Sequence, residues 1–240
     1  MKAILLKEIN DFLHSLIGYL VMAIFVIGVG LVMWVLPDNV LDYGYATLDP
    51  LFSLGPYLLM FLVPAITMRM FSEERKNGTI ELLRSLPFQA WEIVLGKFLG
   101  GFFLVVITLL LTGFYFLTIY LLGNPVGNLD VAGSIGSYIG LFMLGALFTA
   151  IGLFASSVSQ NQIVSFLLAA VSSFFMFEGF EMLASANPWS TGSLFLEQLG
   201  IVEHYYSLSR GLIDLADMVY FVGMTALFIL ITKYIIEVER

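Results

Sequence analysis

Charged side chains are scarce in this chain, so each place where they gather is a candidate for chemistry. The densest gathering is Ser72-Glu73-Glu74-Arg75-Lys76-Asn77-Gly78-Thr79-Ile80-Glu81-Leu82-Leu83-Arg84-Ser85-Leu86-Pro87. Gly78 can stop one helix and Thr79 can cap the next, to which Ile80, Leu82, Leu83 and Leu86 give an apolar side. Pro87 ends it, and Phe88–Lys97 leads on to the next apolar run. A short helix of this kind suits docking into a groove on a soluble partner. The alternative is a helix resting on lipid headgroups, for which Glu73, Glu74 and Glu81 are poorly placed beside anionic lipid. A second candidate is Glu178 with Glu181, three residues apart and so on one helical face. Carboxylates inside a membrane are costly, which points to a pathway or a gate. The alternative is that they lie at the interface, or that Arg210 neutralises one. Arg210 and Asp214 stand at i,i+4 spacing on a further short helix.

Covalent chemistry finds no footing. There is no GxxxxGK[ST] phosphate loop, no HExxH and no GxSxG. The chain has no cysteine, which removes thiolate metal sites and thiol nucleophiles. Its two histidines, His14 and His204, fall on opposite sides of the membrane in the topology below, so they cannot share a metal. No catalytic residue, metal site or cofactor of its own is expected.

The elements that position these groups follow from composition. Of 240 residues 60% are hydrophobic and 12% charged, with mean hydropathy +0.96, far from the balance of a soluble domain. A net charge of −8 and a pI near 4.6 argue against nucleic acid as a partner. Six apolar runs can be read, over residues 15–36, 54–71, 98–122, 134–155, 163–183 and 217–236. At about 1.5 Å per residue most reach the roughly 30 Å of a hydrocarbon core. They are continuous rather than alternating, so helices rather than a barrel are expected. The fold class is therefore an all-α membrane protein in one domain, the longest stretch between spans being too short for a core of its own.

Charge asymmetry orients it. Lys2, Lys7, Arg69, Arg75, Lys76, Arg84, Lys97, Lys233 and Arg240 all fall on one side if both termini do, and Arg210 alone falls on the other. The excess marks the cytoplasmic side of a bacterial inner membrane, with both termini inside. The first span is too long for a signal peptide, and no cleavage site of small residues follows it at Val35-Leu36-Pro37-Asp38.

The remaining segments carry weaker signals. Met1–His14 has Ile4, Leu5, Ile9, Phe12 and Leu13 as apolar positions against Lys2, Lys7, Glu8 and Asp11, the pattern of an amphipathic surface helix; a plain extension of span one is the alternative. Residues 184–216 contain helix starts at Thr191 or Ser193, a stop at Gly200, and interfacial Trp189, Tyr205 and Tyr206, with Asp217 available to cap span six. An outer gate or ordinary interfacial packing would each use them. Gly96/Gly100 and Gly136/Gly140 are GxxxG pairs, better suited to packing within one chain than to dimerisation.

The stretch Glu-Glu-Arg-Lys-x-Gly-Thr-Ile-Glu-Leu-Leu after a second span resembles the cytoplasmic coupling segment of ABC-2-type transporter permeases. Pro64-Ala65-Ile66-Thr67-Met68-Arg69 runs into it, and Asn124-Pro125-Val126-Gly127-Asn128-Leu129-Asp130 fills the second outer loop. Ala150-Ile151-Gly152-Leu153-Phe154-Ala155-Ser156-Ser157 ends span four, and His204-Tyr205-Tyr206-Ser207-Leu208-Ser209-Arg210-Gly211-Leu212-Ile213-Asp214 leads into span six. Together these resemble the gliding-motility-associated permeases of GldF type. Permeases for copper maturation, antibiotics or polysaccharide share several of the features.

The resemblance implies six helices, an amphipathic N-terminal helix, a coupling helix over residues 72–92, and an outer re-entrant hairpin that starts near Glu178 and Glu181. It implies two separate ATPase subunits of GldA type that bind ATP and Mg, and a second permease of GldG type or a second copy of this chain. Glu73, Glu74, Arg75, Gly78, Thr79, Glu81, Leu82 and Leu83 would then form the ATPase contact, and Glu178, Glu181, Arg210 and Asp214 an outer gate. Two other functions stand beside transport. One is mechanical work on periplasmic proteins without solute flux. The other is ion-coupled secondary transport, which would need an ionisable residue at mid-membrane, and no span shows a clearly central one.

Overall fold

Local signals start several of the helices. Ser15 Oγ accepts the amide of Ile17 at 3.2 Å, Asp130 Oδ1 that of Gly133 at 2.9 Å, and Asn161 Oδ1 that of Ile163 at 2.9 Å, each satisfying an amide that a helix start leaves open. Gln89 and Glu92 form a reciprocal capping box. The computed structural model describes residues 1–37, 39–81, 88–186, 197–211 and 214–238, and within them every side chain but those of Tyr43 and Ala186.

In chain order the helices are α1 (Lys2–Leu13), α2 (Leu16–Trp34), α3 (Val40–Tyr43), α4 (Asp49–Thr67), α5 (Arg69–Lys76), α6 (Ala90–Leu111), α7 (Gly113–Leu122), α8 (Val131–Val158), α9 (Gln162–Phe174), α10 (Phe180–Ala186), α11 (Ile201–Ser209) and α12 (Leu215–Val238). A π-helical turn, Phe175–Gly179, joins α9 to α10. No strand occurs among the described residues.

Six helical stretches are long and apolar enough to cross a membrane: Leu16–Trp34, Asp49–Lys76, Ala90–Leu122, Val131–Val158, Gln162–Ser185 and Leu215–Val238. Each expected run has its helix, yet five of the six helices extend past their run. The second begins five residues earlier than expected and ends five later. Apolar counting stops where polar residues gather, whereas the helix needs only its backbone ladder, which Met68 continues in the helical conformation from α4 into α5. Pro56 and Pro64 sit within α4.

The bundle is built around α8, the most enclosed span, which touches α4, α5, α6, α9, α11 and α12. Gly55 on α4 and Gly145 on α8 let neighbours close in, since a Cβ at Gly145 would stand 2.5 Å from a Val105 methyl. The core divides in two. One half gathers Phe25, Met33, Leu59, Phe148, Phe177 and Tyr205. The other gathers Ile4, Phe12, Met70, Phe71, Val94 and Phe98 around the α5 end.

Candidate functional site

The α5 end is held from three sides by polar contacts set into that second core. From α6, Lys97 is 1% exposed; its Nζ donates to Glu8 Oε1 at 2.8 Å, Glu74 Oε1 at 2.9 Å and the Met70 carbonyl at 2.7 Å. It also lies 5.1 Å from the centre of the Phe71 ring. A buried ammonium is tolerated only with its donors filled, and here all three are. From α1, Glu8 is 5% exposed and Lys7 reaches Glu74 at 3.0 Å. Burial disfavours the charged form of Lys7, but the charge and hydrogen bond of Glu74 outweigh it, with smaller help from Glu8 and Asp11, so its pKa is raised. From α8, Ser156 Oγ accepts the amides of Phe71 at 2.9 Å and Ser72 at 3.2 Å and donates to Met68 O at 3.0 Å. At the α1–α2 joint, Arg69 donates to Ser15 Oγ at 3.0 Å and lies over the Phe12 ring.

These contacts alter the expected picture of α1. It is a separate helix, ending at Leu13 before Ser15 starts span one. Glu8, expected on its polar face, faces the protein, as do Ile4 and Phe12. The Gly96/Gly100 pair makes room for it: a Cβ at Gly96 would stand 2.9 Å from Ile4 Cγ2, and one at Gly100 2.6 Å from Glu8 Cβ. Gly136 and Gly140 do the same for α11: a Cβ at Gly136 would stand 2.8 Å from Gly211 Cα, and one at Gly140 3.3 Å from Leu208 Cβ. Both GxxxG pairs therefore serve packing inside the chain.

The residues expected to contact a partner divide by direction. Glu73, Arg75 and Glu74 lie on α5, the continuation of span two, and not on a separate crossing helix. Glu73, Gly78, Thr79 and Glu81 are exposed, whereas Glu74 is turned into the charge network. Gly78, at φ +71°, ends α5 as expected. Thr79 Oγ1 donates back to the Glu74 carbonyl at 3.3 Å, and helical backbone resumes over Thr79–Glu81. Leu82 and Leu83, with Arg84, Leu86 and Pro87, lie outside the described residues. An open cleft of about 370 Å³ separates α1 from α5, bordered by Lys7, Asp11, Arg69, Glu73, Asn77 and Thr79.

The four residues of the expected outer gate are not gathered. Glu178 lies in the π turn and Glu181 follows it in α10. Glu178 accepts the Tyr57 hydroxyl at 2.7 Å, while Glu181 borders another cleft with Glu197 and Glu203. Arg210 neutralises neither: among the described residues no ion pair to it is formed, and it borders a small cleft with Asp49 and Asp130. The helix expected to carry Arg210 and Asp214 together ends at Ser209, with Gly211 at φ +77°. Asp214, not Asp217, caps span six, its Oδ1 accepting the Ala216 amide at 3.1 Å. Asp217 instead meets His204. Trp189, Thr191 and Ser193 lie outside the described residues. Gly200 does separate two helical turns, and Tyr205 (1% exposed) ties α11 to α4 through Phe52 O at 2.7 Å.

Lys97, Glu8 and Ser156 are the residues that sequence reasoning passes over. Lys97 reads as one more loop charge, although its place between Gly96 and Gly100 sets it on a close-packed face. No group of three or more His, Asp or Glu among the described residues could hold a metal.

A probable ABC transporter permease protein, NosY of Pseudomonas aeruginosa, is 32% identical over 119 residues, covering 49% of this chain and 43% of that protein. The matched stretch is thus less than half of that relative's length. The sequence pattern of the ABC-2 family transporter proteins matches residues 2–236, nearly the whole chain, and this multi-pass membrane protein belongs to that family.

Proposed function

We propose that this chain is the permease subunit of an ATP-driven complex, and that a separate ABC ATPase docks on the exposed face of Glu73, Gly78, Thr79 and Glu81. The observation that carries this is the unbroken helical path of span two into α5, up to Lys76. A push on that end acts on helix instead of a loop. Through Glu74 and Lys97 it reaches α6 and hence span three, and through Glu8 it reaches α1. Closure of the ATPases would then tilt spans two and three together and do transport or conformational work across the membrane.

ATP and Mg belong to the ATPase in this reading, and the permease does no covalent chemistry. The second permease is either a copy of this chain or a different subunit. The likeness of the loops to gliding-motility permeases supports placement in that system, with GldA-type and GldG-type partners. The basic residues around the α5 end support the bacterial inner membrane with both termini in the cytoplasm.

Co-purification from native membranes in mild detergent, followed by ATP hydrolysis, tests the reading. Recovery of an ATPase chain that is lost with Glu73→Lys combined with Glu81→Lys is the expected result. These exposed charges are outside the internal network, so the variant leaves the fold intact. An ATPase bound equally well by the variant would refute the docking face.

A further inference from the structure

At the end of the molecule opposite α5, one imidazole joins the turn before α11 to span six. His204 Nδ1 lies 2.6 Å from Asp217 Oδ1, and Nε2 lies 2.9 Å from the Gln198 carbonyl. The ring stacks on Tyr220 with centroids 3.9 Å apart, and the Tyr220 hydroxyl donates to Leu199 O at 2.6 Å. The His204 and Asp217 side chains are 16% and 10% exposed.

Counting hydrogens constrains this arrangement. A carbonyl oxygen only accepts, so Nε2 carries a hydrogen. The contact between Nδ1 and Oδ1 needs another, on either atom. A neutral imidazole beside an ionised carboxylate has one ring hydrogen for two acceptors, so one contact would set lone pair against lone pair. The full set of contacts therefore holds one proton more than that neutral–ionised pair, and the proton belongs to the pair as a unit. Asp217 Oδ2 is buried with no hydrogen-bond partner, so the carboxyl group relies on His204.

We propose that His204 and Asp217 form a proton-dependent latch between the α11 hairpin and span six. With the extra proton, both ring contacts are made and residues 198–204 are held on α12. Without it, the single ring hydrogen goes to the ionised Asp217, the stronger acceptor, and Nε2 meets the Gln198 carbonyl lone pair to lone pair. The turn before α11 then loses the ring and is left to the Tyr220 hydroxyl at Leu199, while α11 stays anchored to α8 at Gly136 and to α4 at Phe52. The ionisable groups that meet the ring are Asp217 and Tyr220, both on α12, while Asp214 caps that helix and Glu181, Glu197, Glu203 and Tyr206 border a separate cleft. Among the described residues none of them but Asp217 forms an ion pair with His204.

The absence of native cysteine makes the test direct. Spin labels at Gln198→Cys and Val219→Cys, exposed positions on the turn before α11 and on α12, report the turn-to-span distance in the full chain in lipid nanodiscs. Measurements at about pH 5 and about pH 8 bracket the usual range of imidazole titration. The expected result is a narrow distance distribution at the lower pH and a longer, broader one at the higher, with no pH response in His204→Gln. One distribution at both pH values in the otherwise native chain would overturn the latch, whether or not any variant folds. A pH response that survives His204→Gln would overturn it equally.

Discussion

Lys97 on the third span and Glu8 on the N-terminal helix are joined at 2.8 Å in a site where the lysine is 1% exposed, so a helix expected to lie on the membrane is bolted to the bundle. The same ammonium holds Glu74 at the end of span two. Three segments that sequence alone would let move separately are thereby one mechanical unit at the coupling end.

Removing the ammonium should cost more than its three hydrogen bonds, because it strands charge. Lys97→Met leaves the buried carboxylates of Glu8 and Glu74 with Lys7, at 3.8 and 3.0 Å, as the cation still paired to them among the described residues. Thermal or denaturant unfolding in detergent should show a loss of about 3–5 kcal/mol, the range for stripping one partner from a buried ion pair. Adding Glu8→Leu should recover part of that loss, because it removes one of the stranded charges. A double variant as unstable as the sum of the two singles would show that the pair is not coupled.

Gly100→Ala sets a methyl 2.6 Å from Glu8 Cβ, and Gly96→Ala one 2.9 Å from Ile4. Each should destabilise by about 1–3 kcal/mol through overpacking and should raise the protease sensitivity of α1. Gly223→Ala, on a helix face with nothing within 4 Å, is the control. It should be neutral or stabilising by up to about 1 kcal/mol.

Ser156→Ala removes the acceptor of two buried amides, Phe71 and Ser72, and the donor to Met68 O. A loss of about 1–3 kcal/mol is expected. Hydrogen exchange should locate it at the α4–α5 joint, with ATPase coupling falling and membrane insertion unchanged. Exchange that rises evenly along the chain would contradict a local role.

Lys7 gives a pH dependence with a definite sign. Its folded pKa is raised, despite the opposing effect of burial, because Glu74 favours the charged form. A raised lysine contributes its stabilisation in full below the unfolded value of about 10.4 and loses it as pH climbs through the folded value. The gap in stability between native protein and Lys7→Met should thus be constant from about pH 6 to 9 and should close only in more alkaline buffer. The side chain is half exposed, so the gap itself should be small, about 0–1 kcal/mol.

What is local, or what the bilayer imposes, was legible in the amino-acid order. Six spans follow from runs such as Phe98–Leu122, whose burial in lipid needs no knowledge of neighbours. Gly78 and Gly200 could be placed as breaks because left-handed backbone or a helix interruption is a property of a few adjacent residues. Which way each polar group faces was settled only by the packing of the helices. Glu8 and Lys97 are 89 residues apart in sequence, and nothing in the pattern around either reveals the other. Asp217 was the expected cap of span six and Asp214 a companion of Arg210, but His204 claims Asp217 and leaves the cap to Asp214. Glu178 sits in a π turn whose Phe177 packs on Tyr57 of α4 and Phe148 of α8, a feature that the spacing of two carboxylates does not reveal. An apolar run fixes a span at low resolution because hydrophobic burial is non-directional. Ion pairs and hydrogen bonds are directional and short, so they are settled only where helices far apart in the chain come within about 3 Å of each other.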